Sequence, residues 1–145
     1  MKELEFSIRI DAPRERVWST LWDDEPFQDW AGCIDEGTYK QGVLAQGSTI
    51  EFIWAVNGYG VTSLIEKLIP GEFILFRHRA YSMDMGRRER EPDWTGGRES
   101  YALSEAQGVT SLILRVEVPT EHEETFNRKM PVALARIKVL AETVK

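Results

Sequence analysis

Up to Pro119 the chain runs in short stretches of alternating apolar and polar residues, and beyond it one amphipathic helical stretch reaches almost to Lys145. Alternation with a period of two marks strands that bury one face, while an apolar stripe at spacings of three and four marks a helix that does the same. Neither face is stable without a cover. The order of the stretches predicts an α+β architecture, a curved sheet closed by a long terminal helix, a cup that can hold a ligand.

Leu4, Phe6, Ile8 and Ile10 alternate with Glu5, Ser7, Arg9 and Asp11, which predicts a half-buried first strand. Asp11 or Ala12 stands where a helix cap belongs, and Pro13 suits the first turn because its missing N–H has no partner there. Val17, Trp18 and Leu21 form the apolar face of that helix. Asp23 and Asp24 end it, and a second short helix opened by Glu25 and Pro26 carries Phe27 and Trp30 inward.

Residues 31–47 read as an irregular connection. Ile50, Phe52, Trp54 and Val56 then alternate with Thr49, Glu51 and Ala55, and Asn57-Gly58 predicts a tight type I′ turn because both residues tolerate positive φ. A returning strand over 61–68, a turn at Pro70-Gly71 and a strand over 73–78 follow. In residues 80–97 the charges from Arg87 to Glu91 fit a solvated hairpin tip or a lid, with Tyr81, Met83, Met85 or Trp94 turned toward a cavity. A strand to Leu103 and a turn at Gln107-Gly108 lead into 110–118, where Thr110, Leu112, Leu114, Val116 and Val118 share one face.

Thr120 and Glu123 have capping-box spacing, which places the helix start near Glu121. Phe126, Met130, Ala133, Ile137, Leu140 and Val144 form its buried stripe, widened by Leu134 and Ala141. Pro131 removes one hydrogen bond inside the helix, so a kink or restart is expected, either following the sheet or freeing carbonyls near Asn127 toward a cavity.

A chain of 145 residues fits a single domain, 1–145. Its net charge of −6 repels phosphate backbones, which argues against a nucleic-acid partner. No apolar run approaches the roughly 20 residues of a membrane helix and the N-terminus resembles no signal segment, so no membrane insertion and a cytoplasmic location are expected. Cys33 is the only cysteine, and His78 and His122 are the only histidines. That supply excludes an internal disulfide and cysteine- or histidine-rich zinc clusters; no metal and no cofactor are expected.

Ile10, Ala12, Pro13, Val17 and Trp18, then Trp30, Pro70, Gly108 and Thr110, and finally Leu134, Ile137, Lys138, Ala141 and Glu142 occur in an order that resembles the START-like (SRPBCC) superfamily. The likeness spans nearly the whole chain and is greatest to the polyketide cyclase and lipid transport type and to the heat-shock chaperone ATPase activator type. It implies a helix-grip fold, a curved antiparallel sheet wrapped around the long C-terminal helix, with two short helices after the first strand and a cavity between. Members of the superfamily range from carriers to enzymes, so activity does not follow from fold.

The residues expected to line a cavity are Trp30, Phe52, Trp54, Phe76, His78, Tyr101, Leu112, Leu114, Met130 and Leu134. His78, in phase with Ile74 and Phe76, and Tyr101, in phase with Glu99 and Leu103, are the candidates for catalysis, if there is any. Arg115 lies on the opposite face and reads as a surface ion-pair residue, and His122 as a solvated one. The leading expectation is a protein that binds a small hydrophobic, lipid-like or aromatic molecule without turning it over. A cyclase- or aromatase-like enzyme and a chaperone ATPase activator-like interaction module are the alternatives, and a homodimer is compatible with the size.

Overall fold

A computed structural model describes residues 2–55, 60–81 and 97–143. The elements run β1 (Lys2–Ile10), α1 (Arg14–Trp22), α2 (Asp24–Ala31), β2 (Thr38–Gln41), β3 (Thr49–Trp54), β4 (Gly60–Ile69), β5 (Phe73–Tyr81), β6 (Arg98–Ala106), β7 (Val109–Val118), a 3-10 turn at Thr120–His122, and α3 (Glu123–Thr143). This is the α+β helix-grip arrangement, with two short helices between the first two strands. The seven strands pair antiparallel in the order β1-β7-β6-β5-β4-β3-β2. The first strand therefore pairs with the last, from Lys2 opposite Val118 to Ile10 opposite Thr110.

The alternation of β1 and β7 follows the period-two rule: Leu4 and Ile10 are buried while Glu5, Ser7 and Arg9 are exposed, and Thr110, Leu112, Leu114, Val116 and Val118 are all buried. Gln107 and Gly108 have φ of 54° and 80°, the doubly positive pattern of a type I′ turn, and they join Ala106 to its partner Val109. Thr110 locks the corner after β1, its hydroxyl donating to the Ala12 carbonyl at 2.7 Å.

Three local expectations are corrected. Residues 31–47 contain β2, which pairs with β3 over Thr38–Gln41; with one large apolar residue, Tyr39, so short a strand has no alternation to show. Pro13 occupies the cap position itself, and its carbonyl accepts from Arg16 and Val17 at 3.0 and 3.1 Å. The Thr120–Glu123 capping box does not form, because the Glu123 N–H is taken by the Thr120 main-chain carbonyl of the 3-10 turn.

α3 passes through Pro131 as one continuous helix, without a restart, and both Pro131 and Asn127 are exposed rather than turned toward the interior. Met130, Ala133, Leu134, Ile137 and Ala141 form its buried face. The helix packs against β1, α1 and α2. Arg136 holds Asp29 of α2 through two donors at 2.7 and 2.9 Å, and Lys138 bonds Glu142, which also accepts from the Asp11 N–H at 2.7 Å. α3 thus lies along β1, α1 reaches β6 and β7, and α2 lies beside β2.

Val56, the Asn57-Gly58 turn, Met83, Met85, the charges from Arg87 to Glu91, Trp94, Val144 and the side chain of Tyr81 lie outside the described residues. No described helix is long and apolar enough to cross a membrane.

Candidate functional site

The two short helices bring Trp22, Phe27 and Trp30 over the concave face, where they meet Phe52 of β3, Phe76 of β5 and Tyr101 of β6. Trp22 is the hub, with its ring centroid 4.9 Å from Tyr101, 5.5 Å from Phe76 and 6.2 Å from Phe27. Phe76 meets Phe52 edge-on at 5.4 Å. Such contacts add about 0.5–1.5 kcal/mol per pair beyond area burial and fix the rings against one another.

Between these rings and the first turns of α3 lies a cavity of about 330 Å³. Ligand sites commonly fall near 300–1,000 Å³, which puts this one at the small end. Of the residues expected to line it, Trp30, Phe52, Trp54, Phe76, His78, Tyr101 and Met130 do. Leu112, Leu114 and Leu134 do not: they point inward but are consumed by packing, all three belonging to the core that α1 and α3 cover. Facing the concave side and facing the void are different conditions, because the helices occupy most of that side.

A chain of four polar groups runs into the wall, with His78, Glu99 and Tyr101 lining the cavity and Ser63 behind them. His78 is buried at 5% exposure, with Nδ1 2.7 Å from the Ser63 hydroxyl and Nε2 3.1 Å from Glu99 Oε1. Tyr101 donates to Glu99 Oε2 at 2.5 Å. The sheet sets this up: Ser63 and His78 are cross-strand partners on β4 and β5, and Phe76 on β5 lies opposite Glu99 on β6. Burial pushes the Glu99 carboxyl up, but the hydrogen bond and charge of His78 and the Tyr101 hydroxyl outweigh it and hold the group below its ordinary value. Tyr101 moves well above 10, first through burial and then because an anion beside Glu99 would be repelled. The phenol stays protonated as a donor.

At the rim stand Asp35, His122, Thr125 and Lys129. Lys129 donates to the Ile34 carbonyl at 2.8 Å. Asp35 is open to solvent on one side, yet desolvation by the neighbouring walls raises its carboxyl, with Lys129 and His122 acting in the opposite direction. His122 is therefore a rim residue rather than a freely solvated one. Arg115 is on the outer face as expected, exposed and paired with Glu5 at 3.0 Å. Cys33 is a half-buried free thiol.

Sequence reasoning left out Ser63, Trp22 and the rim set. A serine alternating with Val61 and Ile65 gives no sign of its cross-strand partner, since that depends on register and β4 carries irregularities on either side of Ser63. One further polar group stands out: Trp22 Nε1, buried and without a hydrogen-bond partner among the described residues, whereas Trp30 Nε1 donates to the Leu21 carbonyl at 3.2 Å.

No protein-family model and no curated protein matches the chain. Solved structures do. The Aha1 dimer from Colwellia psychrerythraea is 23% identical, with a TM-score of 0.75 over 99% of this chain and 98% of that one. CalU16 from Micromonospora echinospora is 18% identical, with a TM-score of 0.66 over 97% of this chain and 76% of that one. The di-domain ARO/CYC protein BexL, from the BE-7585A biosynthetic pathway, is 17% identical with a TM-score of 0.69 over 98% of this chain, which spans 47% of that longer protein. At these identities the likeness is one of fold. Strand order, the two short helices, the long terminal helix and these superpositions together identify the architecture of the chain as the START-like (SRPBCC) helix-grip fold.

Proposed function

We propose that the chain binds a small, largely apolar or aromatic molecule in the cavity between the sheet and α3. The observation that carries this reading is the cavity itself, about 330 Å³ of space walled by Trp22, Phe27, Trp30, Phe52 and Phe76. Apolar space of this size that stays open in an otherwise close-packed interior forgoes dispersion contacts unless something occupies it.

Binding rather than turnover is favoured by the state of His78. Both ring nitrogens are within hydrogen-bond distance of protein groups, Ser63 and Glu99, so the imidazole is positioned as a strut and not as a base with a lone pair aimed at a substrate. The interaction-module alternative drew on the charges from Arg87 to Glu91, which lie outside the described residues. The likeness to a protein solved as a dimer makes self-association worth measuring by sedimentation.

The test is fluorescence titration with the neutral probe 1-aminoanthracene, together with native mass spectrometry of protein purified from cells. The wild type enhances probe emission saturably, and Thr125→Trp, which fills the rim, reduces affinity at least about tenfold. A probe that neither binds nor is displaced, with no co-purified compound, ends this reading.

A further inference from the structure

The innermost lining of the cavity is closed to solvent: Trp22, Trp30, Phe76 and Tyr101 are each at most 4% exposed. A ligand that reaches these rings has to pass the more exposed lining, which among the described residues includes Phe52 and Trp54 of β3, Ile34 and Asp35 between α2 and β2, and His122 and Lys129 in the 3-10 turn and α3. Two of these three borders are fixed. β3 is paired on both sides, with β2 and β4, and α3 is seated on β1 and α1 through its buried face. The third, residues 32–37, belongs to neither sheet nor helix.

The N–H groups of Cys33, Ile34 and Asp35 bond back to Trp30 and Ala31, so the segment is held as a local turn. Asp35, Glu36 and Gly37 are exposed, and glycine stands at both ends, Gly37 with φ of 82°, a left-handed conformation that glycine adopts without strain. Short exposed segments with few buried contacts open locally at less than the free energy of global unfolding. What ties this one to the far border is the Ile34 carbonyl, which accepts from Lys129 Nζ at 2.8 Å across 95 residues of chain. Asp35 adds to the tie, because the charges of Lys129 and His122 act on its carboxylate. The side chains of Cys33 and Ile34 rest half-buried against the core, which seats the segment when the bond is made.

Resting on the small-molecule reading above, we infer that residues 32–37 form a lip that Lys129 latches shut, and that ligand enters and leaves when the lip swings away from α3. Such a latch sets rates rather than affinity. Opening precedes both entry and escape, so weakening the latch speeds both, whereas losing a contact to the ligand speeds escape alone. The lysine suits the role, since its flexible stem releases and regains the carbonyl without any change in the helix that carries it.

Stopped-flow mixing of 1-aminoanthracene with the full chain reads both rates, and amide hydrogen exchange followed by NMR reads the lip itself. Lys129→Met keeps an apolar stem and removes the donor. It is expected to raise the association and dissociation rates together, each at least about threefold, the scale of one lost hydrogen bond. Exchange at Cys33, Ile34 and Asp35 is expected to quicken by a similar factor, while β4–β7 exchange as in the wild type. Lys129→Arg keeps a donor for the carbonyl and is expected to stay within about twofold of the wild type in both rates. Unchanged rates in Lys129→Met, a rise in dissociation alone, or unchanged exchange at the three amides overturns the latch and leaves the cavity reading intact. If Lys129→Met loosens the sheet as well, the wild type decides alone: the three amides exchange faster than β4–β7, and equal or slower exchange overturns the lip. Failure of the wild type to take up the probe overturns the cavity reading, and the entry role falls with it.

Discussion

Glu99 is a carboxylate held by a phenol on one oxygen and an imidazole on the other, inside a wall of aromatic rings. Its folded value lies below its ordinary 4.5, so the folded chain binds fewer protons there than the unfolded chain does as pH drops through that region. The stability from this group is complete above pH about 4.5 and disappears as pH falls through the lower folded value. Thermal melting from pH 7 down to 3 is expected to show a smaller acid loss for Glu99→Gln than for the wild type. Parallel curves would mean that Glu99 is not held ionised by its neighbours.

At the same scale, Leu114 separates core from cavity: it is fully buried among packed side chains and does not line the void. Leu114→Ala is expected to cost about 2–5 kcal/mol in urea unfolding. Such a loss with unchanged 1-aminoanthracene affinity distinguishes a packing residue from a lining one. Inward phase in the strand was legible for Leu112, Leu114 and Tyr101 alike. Which of them touch empty space was not, because that depends on where α1 and α3 come to rest.

Among the elements, α3 carries the clearest local conflict, a proline within a 21-residue helix. Pro131 is exposed, so replacing it leaves no hole, and Ala restores both the N–H and helical propensity. Pro131→Ala is expected to raise stability by about 1–3 kcal/mol in urea unfolding, with the probe affinity kept. A loss of stability would show that Pro131 helps to fit α3 to the sheet.

The strands were legible wherever alternation was long enough to see, as in β1 and β7, and the hairpin at Gln107-Gly108 was readable from turn chemistry alone. β2 was not, since its four residues carry no pattern and are recruited by β3. The capping motif at Thr120 misled for a related reason: spacing shows that a bond can form, but the main chain of the 3-10 turn reached the same N–H first. Ser63 was hidden in the same way, its meaning created by its partner across the sheet.

For the whole molecule, the division of the concave face is what links fold to function. α1 and α3 pack part of that face solid, while rings from α1, α2 and the strands frame an opening, so a core and a void coexist in a chain of 145 residues. The pairing of β1 with β7 has a further consequence. Residues 2 and 118 must meet before the sheet is complete, so the N-terminal ribbon waits, unzipped, through most of synthesis while later segments emerge from the ribosome. A pairing of such high sequence separation must be closed before its contacts are gained, and topology of this kind slows folding more than it changes stability.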